Sequence, residues 1–149
     1  MPNAHSSRRR FLKVLAQGGA LIGTASAGLG CGGTGGTGKL DAGNVKDLPA
    51  PTLRALPSAS VAIGRDQGGI YAMTLICSHG GCDIASAGMV STQGLVCACH
   101  HSAFDPNGGV IKGPATTPLE HFSVSLGPTG EITVDTDVTV DAATRVAVA

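Results

Sequence analysis

Tryptophan is absent from this 149-residue chain, and aromatic residues of any kind make up 3% of it, one Tyr and three Phe. A core built on large aromatic side chains is therefore excluded. Charge is equally sparse. Ten Lys and Arg stand against ten Asp and Glu, the formal net charge is +0, and nothing in that balance points to nucleic acid or to a strongly charged partner. The segment Val14 to Leu29 is rich in Gly, Ala and Thr and too weakly apolar for a strongly hydrophobic membrane anchor of about 20 residues. No internal repeat is found, and after position 60 no run carries the 3.6-residue period of an amphipathic helix.

What is present is 23 glycines, 5 cysteines and a succession of short apolar runs. Val61-Ala62-Ile63 and Ile70 to Ile76 flank the turn Asp66-Gln67-Gly68-Gly69 and read as a hairpin. Met89 to Val96 reads as a strand interrupted at Gln93-Gly94. Leu119 to Leu126 and Glu131 to Asp135 flank Gly127-Pro128-Thr129-Gly130 as a further hairpin, in which Glu120, Phe122 and Val124 alternate with His121, Ser123 and Ser125. His121 reads as a surface residue of that strand rather than a ligand. All-β is the expected fold class, in one small domain with a thin hydrophobic core.

Two strand ends run into segments of another kind, Cys77-Ser78-His79-Gly80-Gly81-Cys82 and Cys97-Ala98-Cys99-His100-His101-Ser102. Each hook mixes Cys with His at short spacing, as Cys-x-His and Cys-x-x-His, so that two thiolates and two imidazoles are on offer. A structural zinc site uses the same residue types, but zinc fingers segregate their Cys and His pairs. A pair of plain disulfides with bystander histidines leaves the matched His spacing unexplained. At these residues the chain resembles the Rieske [2Fe-2S] proteins.

The resemblance implies one [2Fe-2S] cluster per chain, with Cys77 and Cys97 on the inner iron and His79 and His100 on the exposed iron. It also implies a disulfide between Cys82 and Cys99, as in one large branch of the family. Oxygenases of the family lack that second cysteine pair, which favours an electron carrier or a quinol-oxidising subunit. The implied fold is a Rieske-type β-sandwich or barrel base with a small inserted cluster-binding subdomain at about 77–113. Gly113-Pro114 matches the family's loop over the cluster, and Ser102 its hydroxyl donor to the cluster. Phe104 stands where quinol-oxidising relatives often place Tyr, which implies a lower potential, and Gly80 where they commonly place Leu. His101 replaces a common Gly; each iron is already four-coordinate, so a third imidazole ligand is not expected.

Ser7-Arg8-Arg9-Arg10-Phe11-Leu12-Lys13 closely matches the twin-arginine export signal, with Arg8 and Arg9 as its pair. That route carries folded proteins, as a chain with a cluster assembled in the cytoplasm requires. Cys31 precedes the flexible Gly32–Gly38 run and resembles a lipoprotein cysteine, although Gly28-Leu29-Gly30 departs from the usual lipobox. Lipidation at Cys31, cleavage after Ala25-Ser26-Ala27 and retention of the segment as an anchor all remain open. The expected organisation is a signal segment at 1–30, a tether and linker at 31–59, the Rieske domain at 60–137 and a C-terminal segment at 138–149 that can form a strand. The expected function is electron transfer, one electron at a time through the His-ligated iron, by a periplasmic protein tethered to a membrane. Its partner would be a redox protein, a cytochrome or a larger oxidoreductase subunit. Alternatives are a quinol-oxidising subunit of a cytochrome bc-type complex and a relay subunit of an arsenite-oxidase-like molybdenum enzyme.

Overall fold

The computed structural model describes residues 38–148. Ten strands follow in chain order: β1 (Lys39–Asn44), β2 (Thr52–Leu56), β3 (Val61–Asp66), β4 (Gly69–Thr74), β5 (Gly88–Ser91), β6 (Gly94–Cys97), β7 (Ala103–Phe104), β8 (Val110–Lys112), β9 (His121–Leu126) and β10 (Glu131–Val140). The only helical pieces among the described residues are two 3-10 turns, Val45–Asp47 and Pro57–Ala59. The fold is all-β.

Six strands form a base sheet in the order β1-β10-β9-β4-β3-β2, and β5-β6-β7-β8 form a second sheet inserted between β4 and β9. The β3–β4 hairpin closes on Asp66, whose carboxylate accepts the backbone N–H groups of Gly68 (2.8 Å) and Gly69 (3.1 Å). Alternation along β3 and β4 then sorts side chains to two faces. Val61, Ile63, Ile70 and Ala72 join Ile132 and Val134 in one core, whereas Ala62, Tyr71 and Met73 face the insert and pack with Ile84, Leu95, Phe104 and Leu119. Gly64 sits opposite Tyr71 across the β3–β4 ladder, and a Cβ there would lie 2.2 Å from the Tyr71 ring. The glycine makes room for the aromatic.

The second core is the seam between base and insert, and the C-terminal segment reinforces it. Ile70 and Val146 exchange two backbone hydrogen bonds of 2.9 Å. Arg145 lies 4.0 Å from the centroid of the Tyr71 ring, bonds Asp66 Oδ2 at 2.8 Å, and donates to Asn107 Oδ1 in the insert at 2.6 Å. Tyr71 donates its own hydroxyl proton to the Pro106 carbonyl at 2.9 Å. Burial raises the Asp66 carboxyl, but the Arg145 bond and charge and the two amide donors outweigh it and leave the group below its usual 3.8.

Three expectations are corrected. The span 31–59 is not all linker, since Lys39–Asn44 pairs with β10 and Thr52–Leu56 with β3. These runs have few β-branched residues, and their partners rather than their own propensity make them strands. Residues 138–140 continue β10 and do not start a separate element, with Val140 opposite His121. His121 is not on the surface but only 3% exposed, because β9 is an interior strand and the insert covers the face on which this side chain lies.

Candidate metal centre

β4 feeds the first hook and β6 the second, and the two hooks fold with one backbone pattern. Cys77 N–H donates to Cys82 O at 2.8 Å and Gly81 N–H donates back to Cys77 O at 2.9 Å. Five and four residues past Cys97 the same bonds recur, Cys97 N–H to Ser102 O and His101 N–H to Cys97 O, both 2.9 Å. The fourth residue is left-handed in each, Gly81 at φ 73 and His101 at φ 61. Both leading cysteines are drawn into the seam core, Cys77 at 3% exposure and Cys97 at 1%.

Cys82 and Cys99 are joined by a disulfide across 17 residues, which leaves Cys77 and Cys97 as free buried thiols. The Cys82, Cys97 and Cys99 sulfurs lie within 4.8 Å of one another, but two of the three belong to the disulfide, so this trio is no ligand set. His79 and His100 are exposed, and their rings meet edge to face with centroids 4.8 Å apart. Burial pushes the Cys97 thiol above its usual 9.0, and the adjoining Cys77 thiol pushes it the same way. The backbone N–H groups of Cys99 and His100 pull in the opposite direction. Amide donors beside a buried sulfur suit a thiolate, and a bound cation is what would keep it one. Two such thiols with two surface imidazoles fit an iron–sulfur cluster of mixed ligation.

Segment 113–119 covers the hooks and is bonded to both. Ser102 is fully buried and its Oγ accepts the Ala115 N–H at 3.0 Å, while Ser78 Oγ donates to the Thr117 carbonyl at 2.6 Å. Gly113-Pro114, a cis peptide, opens this segment, and Ala115 and Leu119 anchor it in the seam core. Phe104, 1% exposed, packs in that core with Cys77 and Cys97 and brings no hydroxyl. Beside Cys77 an open groove of about 430 Å³ runs between Ile76 and Ser78 on one side and Thr117, Pro118 and Leu119 on the other.

Cys77, His79, Cys82, Cys97, Cys99, His100, Ser102 and Phe104 thus lie in one region, and the loop that contains Gly113 and Pro114 is bonded to both hooks while His79, Cys99 and His100 stay exposed. Cys31, Arg8 and Arg9 lie outside the described residues. Sequence reasoning missed Ser78 as a tie to the covering loop and Arg145 as a clasp on the seam. Ser78 is visible as the middle residue of Cys-x-His, but its partner is 39 residues away.

Residues 38–123 match the family model for the Rieske [2Fe-2S] domain, more than half of the chain. The chain belongs to the Rieske [2Fe-2S] family, and its cofactor is a Rieske-type [2Fe-2S] cluster. It is similar to the cytochrome b6-f complex iron-sulfur subunit of Synechococcus sp. (strain CC9605), 33% identical over 75 residues, which cover 50% of this chain and 40% of that one. The cytochrome b6-f complex iron-sulfur subunit of Trichodesmium erythraeum (strain IMS101) is 33% identical over 78 residues, 51% of this chain and 42% of that one. The match spans about two fifths of the length of these relatives. Among solved structures, the plasma membrane Rieske protein PetC3 from Synechocystis PCC 6803 is similar with a TM-score of 0.48 at 26% identity, over 64% of this chain and 97% of that one.

Proposed function

We propose that Cys77 and Cys97 hold one iron of the cluster, His79 and His100 hold the other, and the electron passes through the exposed imidazole edge to a redox protein. The observation that carries this reading is the division of the six residues. Two cysteines are free and buried, two are tied together, and the two imidazoles touch each other at the surface. When bound, the cluster supplies a one-electron site that is less negative, and easier to reduce, than an all-cysteine one. The chain's own residues do the rest. The disulfide and the Ser78 and Ser102 bonds fix the hooks against the covering loop, burial of Cys77 and Cys97 excludes water, and His79 and His100 present ring edges to the outside.

The domain is proposed to be anchored by its N-terminal side, exported on the Arg8-Arg9 signal and acylated at Cys31, in the periplasm. No helix among the described residues is long and apolar enough to cross a membrane. A second reading, a quinol-oxidising subunit of a cytochrome bc-type complex, is favoured by the names of the curated relatives. In that reading His79 or His100 accepts a hydrogen bond from the quinol and takes its proton.

Midpoint potential measured against pH on the full-chain holoprotein tests both. A reversible one-electron wave is expected. A fall of about 59 mV per pH unit above an imidazole pKa supports proton-coupled quinol oxidation, and a flat profile around neutral pH supports a carrier. A protein that binds zinc and shows no wave contradicts both readings.

A further inference from the structure

We propose that Asp83 lowers the reduction potential of the cluster as an uncompensated carboxylate, and that Ser60 is the residue that holds it in position. This rests on the proposed assignment of Cys77 and Cys97 to the cluster. Run 75–77 enters the first hook and is paired with run 82–84, which leaves it. Ile84 N–H donates to the Leu75 carbonyl at 2.8 Å, Ile76 and Asp83 stand opposite each other, and Cys77 N–H donates to the Cys82 carbonyl at 2.8 Å. Asp83 is half-buried on this ribbon and immediately follows disulfide-bonded Cys82. One of its carboxylate oxygens serves the local turn, where Oδ1 accepts the Ala85 N–H at 2.8 Å. The other does not. Oδ2 accepts the hydroxyl proton of Ser60, 23 residues back in the base, at 3.1 Å.

Ser60 grips both sides of the ribbon, because its carbonyl also accepts the Leu75 N–H at 2.7 Å. It does so from a left-handed backbone, φ 49, which a residue with a Cβ adopts only at a cost and which surrounding contacts must enforce. A turn built for its own sake would favour Gly or Asn there. No cation answers the carboxylate, since the one salt bridge among the described residues joins Arg145 to Asp66. Reduction adds one negative charge beside the Cys77 and Cys97 sulfurs, and a fixed carboxylate on the order of 10 Å away opposes it. Glu120 provides the contrast. It lines the groove beside Cys77 but is exposed, so water and salt screen it, whereas half-buried Asp83 keeps more of its field. Together with Phe104, which offers no hydroxyl, Asp83 biases the site toward donors and acceptors of low potential.

The test is redox titration of the full-chain holoprotein at neutral pH, followed by electron paramagnetic resonance, with iron and sulfide content matched across variants. Asp83→Asn keeps the shape and an acceptor oxygen for the Ala85 N–H and removes only the charge. It should move the one-electron equilibrium toward the reduced form by about threefold to tenfold, a rise of about 30–60 mV in midpoint potential. Glu120→Gln should raise the potential by less than half as much. Ser60→Ala frees the carboxylate to turn to water and should raise the potential part of the way; Ser60→Gly replaces it if the left-handed backbone keeps the alanine form from folding. In an Asp83→Asn background the same Ser60 substitution should leave the potential unchanged, because no charge is left to hold. An unchanged or lower potential in Asp83→Asn at full cluster content overturns the proposal and leaves Asp83 a turn residue. A rise in Glu120→Gln equal to that in Asp83→Asn overturns it as well, because the overall charge of the domain would then suffice. A Ser60 effect of equal size in both backgrounds overturns the role given to Ser60. Absence of a [2Fe-2S] cluster from the unsubstituted protein overturns instead the ligand reading on which the proposal rests.

Discussion

Gly81 and His101 occupy the same slot in the two hooks, each four residues past a free cysteine, each donating its N–H to that cysteine's carbonyl at 2.9 Å, and each left-handed. Glycine adopts that backbone freely and histidine does not. His101→Gly is therefore expected to raise stability by about 1 kcal/mol in urea unfolding, and Gly81→Ala to lower it by at least as much. Iron content should be unchanged in His101→Gly and His101→Ala. Loss of iron from a folded His101 variant would make this residue a ligand.

Ser102 accepts the N–H of Ala115, a buried residue of the covering loop, and is itself fully buried. Ser102→Ala leaves that amide without its partner, at a cost of about 1–3 kcal/mol. Thermal unfolding should register the loss, and iron should pass to a chelator faster than from the unsubstituted protein.

Phe104 lies in the core with Cys77 and Cys97 and offers no hydroxyl. Phe104→Tyr would add one donor near the free thiols. A hydrogen bond to cluster sulfur worth about 1 kcal/mol favours the reduced state and corresponds to a rise of about 40 mV in midpoint potential. Redox titration of the two proteins under matched conditions decides it, and an unchanged or lower value refutes this role for the position.

His121 carries two ring nitrogens that make no hydrogen bond of normal geometry among the described residues. Burial drives its pKa below the usual 6.5, with Arg145 acting in the same direction and the Leu119 backbone, Asp141 and Asp105 acting against it. The unfolded chain therefore binds the proton more tightly. The stability due to neutral His121 is complete above about pH 6.5 and is lost as pH falls from there through the folded-state value. Asp66, held below 3.8, loses its contribution only in a lower window. His121→Leu should leave stability at pH 7.5 within about 1 kcal/mol and flatten its decline between about pH 6.5 and pH 5. An equally steep decline in the variant would show that another group is responsible.

Much of this architecture can be read in the sequence where the cause is local. Asp66-Gln67-Gly68-Gly69 closes its hairpin through the carboxylate of its own first residue, and the two hooks declare their residue types within six positions each. What resists reading depends on distant partners. Lys39–Asn44 and Thr52–Leu56 become strands because β10 and β3 pair with them. Arg145 clasps Asp66 and Asn107, 79 and 38 residues away. Alternation along β9 separates His121 from Phe122, but it cannot tell that both faces are covered.

The ligand assignment is tested most directly by iron and sulfide analysis, with electron paramagnetic resonance of the reduced full-chain protein, on His79→Ala, His100→Ala and the unsubstituted form. The account predicts a [2Fe-2S] stoichiometry with coupling to two imidazole nitrogens in the unsubstituted protein, and loss of the native cluster in either variant. An intact cluster with both nitrogen couplings in either variant would contradict it.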